Sequence, residues 1–201
     1  MSAGRSLRLG VLGSGKGSNL SAIFHAIGKK QLPAEVHIVV SDVAEAGILE
    51  IARAQGVRAE YVPPGDNFRA RLSPESEERI VELLRESGAD LVVLAGFMRI
   101  VGAPLLAAFP RRIINIHPSL LPRHPGLHAW RQALEVGDST AGCTVHYVDA
   151  GVDTGEIIAQ SEVKVLPDDT AGSLHARIQV AEHALYPEVI AGLARDRSFA
   201  E

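Results

Sequence analysis

At 201 residues, 46% hydrophobic and 22% charged, the chain has enough apolar content to bury a full core and needs no second domain. Twenty basic against 24 acidic residues give a net charge of −4 with no dense basic stretch, which argues against a broad surface for reading nucleic-acid phosphates. Cys143 is the single cysteine, so neither a disulfide framework nor a cysteine metal cluster is available. No signal-peptide core and no apolar run of about eighteen residues occurs, and the expectation is a cytoplasmic protein without membrane partners.

Leu7 to Leu12 predicts a strand that empties into Gly13-Ser14-Gly15-Lys16-Gly17-Ser18-Asn19, with a helix beginning near Asn19. That order presents backbone N–H groups to an anion. Val36 to Val40 predicts a second strand and Ala44 to Ala54 a helix closed by Gly56. Tyr61-Val62 predicts a short third strand before the breaker-rich loop from Pro63 to Asn67. Ser73 as N-cap, Pro74 in the first turn, and Glu75 and Glu77 announce a helix that carries Ile80, Leu83 and Leu84 and ends at Ser87-Gly88. Leu91 to Ala95 is a continuous apolar run, the mark of a parallel strand covered on both faces. Gly96 to Val101 leaves its end, and a short helix passes through Leu105 and Leu106.

The next strand, from Ile113 to Ile116, should stop at His117, because Pro118 has no backbone donor and pushes its predecessor into an extended conformation. A helix from His128 to Glu135 follows. Thr144 to Val148 and Glu156 to Val165 then read as strands with no helix between them, hence an antiparallel extension. Leu174, Ile178, Ala181 and Leu185 share one face of a last helix, which Pro187 should kink or interrupt. The predicted fold is a single α/β domain with a doubly wound, mostly parallel, Rossmann-like sheet, a C-terminal antiparallel β extension and a terminal helix. Residues 1–110 are expected to form a phosphate-binding half and 111–201 a catalytic half. Ligands of such sheets collect at the carboxyl ends of strands, where the glycine loop, the Met98 segment and His117 converge.

Alternation places Asn115 and His117 on one face of their strand. An imidazole moves protons near neutral pH, and an amide donates a hydrogen bond to an oxygen that turns negative. Asp153 belongs with them if the fold brings it near, because a carboxylate favours and orients a charged imidazole. Taken alone, Asp153 is also ordinary turn chemistry, and Asn115 and His117 could serve only to close a loop. His128 and His146 read as supporting residues, and His25, His37 and His175 as surface residues. Trp130 reads as packing beneath the loop rather than touching ligand. The glycine loop has Walker spacing from Gly10 to Lys16, but Gly17 stands where Ser or Thr would hold magnesium. It also departs from G-x-G-x-x-G, although Asp42 sits where a ribose-binding acid would follow a second strand, which keeps a dinucleotide site open. The simplest ligand is a monophosphate on the N–H groups of Gly17, Ser18 and Asn19.

The segments SGKGSNL, ADLVVLAGFMRI, NIHPSLLPRHPGLHAWRQAL, TVHYVDAGVDTGEII and EHALYP together resemble the phosphoribosylglycinamide formyltransferases, folate-dependent enzymes of purine synthesis, from the first strand to about Pro187. The resemblance implies small-molecule substrates, glycinamide ribonucleotide and 10-formyltetrahydrofolate as a consumed cosubstrate, with no metal and a monomeric or homodimeric state. It implies that Gly17, Ser18, Asn19, Leu20 and Ser21 hold the phosphate, with Gln179 and Glu182 on the ribose side. Met98, Arg99, Ile100, Val101 and the loop Asp149, Ala150, Gly151, Val152 and Asp153 would line the folate pocket, with Asn115 beside them. Arg71, or Arg69 in a shifted register, would contact the folate. His124 and Glu156 depart from the family pattern at the rim. The implied chemistry has Asn115 and protonated His117 stabilise the formyl oxygen while Asp153 keeps His117 charged. The alternatives are a formyltetrahydrofolate hydrolase, a nucleotide-binding regulator and an NAD-dependent dehydrogenase.

Overall fold

The computed structural model describes residues 6–66 and 70–196. Within these residues seven strands run β1 (Leu7–Leu12), β2 (Ala34–Ser41), β3 (Arg58–Tyr61), β4 (Leu91–Leu94), β5 (Ile113–His117), β6 (Thr140–Tyr147) and β7 (Ile157–Lys164). They form one sheet in the order β3-β2-β1-β4-β5-β6-β7. All pairings from β3 to β5 are parallel and the last two are antiparallel, as the helix-free stretch between the last two strands predicts. The third strand begins three residues earlier than expected, because Arg58 to Tyr61 pair with Ile38 to Ser41 and Val62 only continues the edge through its N–H to the Ser41 carbonyl.

Six helices among the described residues, α1 (Ser18–Gly28), α2 (Gly47–Ala54), α3 (Pro74–Glu86), α4 (Ala103–Ala108), α5 (Ala129–Glu135) and α6 (Ala171–Arg195), cover the sheet. Ser73 caps α3 by accepting the Ser76 N–H, with Pro74 in the first turn. Leu9, Val11, Val39, Val93, Ile114 and Val145 pack with residues of α1, α2 and α6 on one side. Leu12, Ile38, Val40, Val92, Leu94 and Ile113 pack with α3 and α4 on the other. The second layer is short: α4 has six residues, and α5 and α6 join the first layer. Asn115 and His117 alternate with Ile114 and Ile116, so they lie on the thinly covered side.

Pro187 does not interrupt α6, which runs unbroken for 25 residues. Tyr186, Val189 and Ile190 are buried around it, and this packing outweighs the lost helical hydrogen bond. Tyr186 is fully buried, and its hydroxyl donates to the carbonyls of Leu94 and Ile114 at 3.0 and 3.1 Å, tying α6 to β4 and β5. Tyr186→Phe leaves both carbonyls without that donor and should cost about 1–2 kcal/mol. For a chain of this size the thermal midpoint should fall by about 3–6 °C, readable by calorimetry. No helix among the described residues is long and apolar enough to cross a membrane.

Candidate active site

Antiparallel pairing sets Asn115 opposite His146 and His117 opposite Thr144 across β5 and β6. β6 runs away from the His117 end, and the seven residues after Val148 fold back over the sheet face. Asp149 Oδ1 accepts from the Gly151 N–H at 3.0 Å and the Thr154 hydroxyl at 2.8 Å, which coils the loop. Asp153 itself adopts the left-handed backbone region at φ 53°. Gly155 closes the turn so tightly that a Cβ there would stand 1.8 Å from the Tyr147 carbonyl oxygen, so no side chain fits. The product is a carboxylate delivered onto the two side chains of β5.

His117 Nδ1 lies 3.3 Å from Asp153 Oδ2, and His117 Nε2 lies 2.9 Å from the His124 carbonyl oxygen. His146 Nδ1 faces its neighbour's carbonyl, Tyr147 O, at 2.8 Å, and its Nε2 faces the Asn115 amide at 3.2 Å. Asp153 Oδ1 sits 3.5 Å from Asn115 Nδ2 and 3.6 Å from His146 Nε2, while Oδ2 accepts the Gly126 N–H at 2.8 Å. Burial alone would raise the Asp153 carboxyl, yet His146, His117 and the Gly126 N–H together hold it below the ordinary range. For His117 the balance falls the other way. Burial pulls the imidazole below its ordinary value, and Asp153 and the His124 carbonyl offset only part of that. Desolvation of a ring only 5% exposed is thus the larger influence on His117 and works against the charge that Asp153 favours.

These residues stand in a cleft of about 530 Å³. Of the residues assigned to a folate pocket, Met98, Arg99, Ile100, Val101, Asn115, Asp149, Gly151, Val152 and Asp153 line it. Ala150 does not, and neither does Arg71, which pairs through its backbone with Ile100 and faces the Glu77 carboxylate. Arg69 lies outside the described residues. Phe97, Leu94 and Val148 add apolar surface, suited to a flat heteroaromatic ring, and the tetrad of Asn115, His117, His146 and Asp153 supplies the polar floor. Trp130 lines the same cleft, contrary to expectation, with its ring stacked on His175 at 3.7 Å and edge-on to His128 at 5.6 Å. His175 is thus not a plain surface residue, nor is His37, whose Nδ1 meets the Ser87 carbonyl at 2.9 Å.

The glycine loop reaches α1 through Gly17 in the left-handed region at φ 82°. A Cβ there would lie 2.8 Å from Ile48 Cα, so glycine is demanded twice over. The N–H groups of Ser18, Asn19 and Leu20 fall in the first turn, where no helical carbonyl precedes them. Two assignments are narrowed: the Ser21 N–H is already donated to the Gly17 carbonyl, and the fully buried Leu20 side chain belongs to the core. Glu182 and Gln179 stand one turn apart on α6, and Asn19 Nδ2 donates to Glu182 Oε2 at 3.2 Å. The Asn19 Oδ1 is buried and unpartnered. Asp42 is not free for a ribose: its carboxylate receives the Arg99 Nε at 2.6 Å and the Ser14 hydroxyl at 2.5 Å, which argues against the dinucleotide reading.

Burial pushes the Glu182 carboxyl up to about 7, with only the Asn19 amide working against it. Raised above the usual 4.5, it contributes stability that is complete below pH 4.5 and lost as pH climbs through about 7. Glu182→Gln should remove that sloping loss, and urea midpoints of the two proteins measured from pH 4 to 8 will check it.

Sequence reasoning missed His146 as a member of the constellation. The cross-strand register carries the signal, because Thr144-x-His146 repeats the two-residue alternation of Asn115-x-His117 on the partner strand. Among the described residues no group of three or more His, Cys, Asp or Glu is placed to hold a metal ion.

Residues 7–190 match the family model described as formyl transferase. The chain is 42% identical over 187 residues to the phosphoribosylglycinamide formyltransferase of Escherichia coli strain K12, covering 93% of this chain and 87% of that protein. It is 44% identical to the trifunctional purine biosynthetic protein adenosine-3 of Drosophila melanogaster, covering 94% of this chain but spanning only 14% of that protein. The crystal structure of glycinamide ribonucleotide transformylase 1 from Symbiobacterium toebii superposes with a TM-score of 0.90 at 50% identity, covering 96% of this chain and 90% of that one. The matched region contains β1 through β7 and all four residues of the tetrad, and on this footing the chain belongs to the formyl transferase family.

Proposed function

We propose that the protein transfers the formyl group of 10-formyltetrahydrofolate to the amine of glycinamide ribonucleotide. The observation that carries this reading is the tetrad itself: Asn115, His117, His146 and Asp153 meet at the floor of a cleft with apolar walls. The phosphate end is assigned to the first-turn N–H groups of α1, and the ribose to Glu182 and Gln179. The cleft draws on both halves of the chain, since it takes residues 94–101 as well as 115–153.

Chemically, the substrate amine attacks the formyl carbon, and the carbonyl electron pair moves onto oxygen. Asn115 donates a hydrogen bond to that oxygen. His117, neutral at rest because of its burial, accepts the proton that the nitrogen sheds and returns it to N10 of the folate as the carbon–N10 bond breaks. The contact a reacting group replaces is the looser one at Nδ1, 3.3 Å long, while the 2.9 Å bond at Nε2 keeps the ring in place. Asp153 remains ionised and stabilises the imidazolium as it forms.

The protein is to be incubated with 10-formyltetrahydrofolate with and without glycinamide ribonucleotide, and loss of formyl followed. Loss that requires the ribonucleotide supports transfer. Loss at the same rate without it identifies a hydrolase, and no loss in either case leaves a binding protein.

A further inference from the structure

We propose that Ser14 and Asp42 form a strap that positions the two substrate-binding segments relative to each other, so that order at one is transmitted to the other. This rests on the assignment of the two subsites above. β1 lies between β2 and β4 in the sheet, and the segments leaving all three strands meet at their carboxyl ends. The Ser14 hydroxyl, directly after β1, donates to Asp42 Oδ1 at 2.5 Å and accepts the Met98 N–H at 2.9 Å. The other carboxylate oxygen of Asp42, directly after β2, accepts Arg99 Nε at 2.6 Å. The Ser14 N–H completes the link by donating to the Gly96 carbonyl at 3.0 Å. The glycine loop assigned to the phosphate and the Met98–Arg99 segment that lines the folate cleft are therefore joined through one hydroxyl and one carboxylate.

The surroundings fit a positioning role. Asp42 is 3% exposed, and charged hydrogen bonds in such surroundings are strong and directional. At Gly13, just before the strap, a Cβ would stand 2.7 Å from the Ala95 carbonyl oxygen, so the two segments already run at closest approach. Met98 itself is 60% exposed, so little apolar packing of its side chain holds this part of the cleft wall. Ser14 and Asp42 do not line the cleft, so a change at either acts through the segments they join.

The test uses Ser14→Ala, Asp42→Asn and the double variant, each compared with wild type in thermal midpoint, steady-state kinetics and amide hydrogen exchange. Ser14→Ala removes a small, half-buried hydroxyl and carries the test if Asp42→Asn does not fold. Exchange should quicken in residues 14–19 and 96–101 together. KM for both substrates should rise about tenfold while kcat moves far less, as expected for loss of a charged hydrogen bond that orders binding segments. The double variant should be no worse than the poorer single one, because both changes cut the same link. Faster exchange confined to one segment, a KM change for one substrate alone, or effects that multiply in the double variant would overturn the strap. Absence of formyl transfer by the wild type would instead sink the assignment of substrates, and the exchange pattern would still decide whether the two segments move as one.

Discussion

Replacing His117 with alanine should lower kcat by about 10²–10⁴-fold while leaving KM for both substrates within a few-fold, because in the proposed mechanism the ring moves a proton and contributes little to ground-state binding. The resting geometry explains the size of the effect. One nitrogen is anchored at 2.9 Å to a backbone carbonyl and the other stands 3.3 Å from a carboxylate, so the ring is held in one orientation and ready to carry charge. Removing it also takes away one of the groups that keep Asp153 ionised. Single-turnover measurements isolate the chemical step, and a variant with near-normal turnover would end the assignment of His117 as proton carrier.

Asp153→Asn should be as damaging, with a fall in kcat of about 10²–10⁴-fold, and for a separable reason. Asparagine keeps the shape and the bond from the Gly126 N–H but removes the charge that opposes the desolvation of His117. The His117 pKa should therefore drop further below its resting value, and an imidazolium formed during the reaction would lack its counter-ion. Asp153→Ala additionally frees Gly126, whose N–H holds the segment beside His124. Its KM should rise where that of Asp153→Asn does not. Histidine titration by NMR reads the first effect and steady-state kinetics the second; an unmoved His117 titration in Asp153→Asn would contradict the electrostatic role.

The parallel sheet was legible because β1, β2, β4 and β5 are largely apolar runs punctuated by glycine, serine and proline, whereas the edge strand β3, Arg58-Ala59-Glu60-Tyr61, carries no such run; the start of α3 is written at Ser73 and Pro74. Asn115 and His117 were legible as a pair from two-residue alternation and the stop at Pro118. What single-chain patterning could not supply was distance between segments. His146 looks like any alternating strand residue until β6 is laid antiparallel against β5. Trp130 looked like packing because its cleft-facing position depends on how α5 meets α6. The burial that opposes a charge on His117 was not legible, because the attraction of a carboxylate is visible in a motif whereas burial is a property of the whole fold. Pro187, expected to kink or interrupt α6, does not interrupt it, since a local rule about helix breaks yields where the residues around it are locked into a core.

The folded-back loop after β6 carries a consequence for how the protein loses and regains activity. Asp153 reaches His117 only through the terminal hairpin of β6 and β7, at one margin of the sheet, and the margins of a fold open at lower free energy than its interior. Mild urea should accordingly silence turnover while the far-ultraviolet signal of the parallel strands persists. On refolding, catalytic competence should return last, after the hairpin has docked.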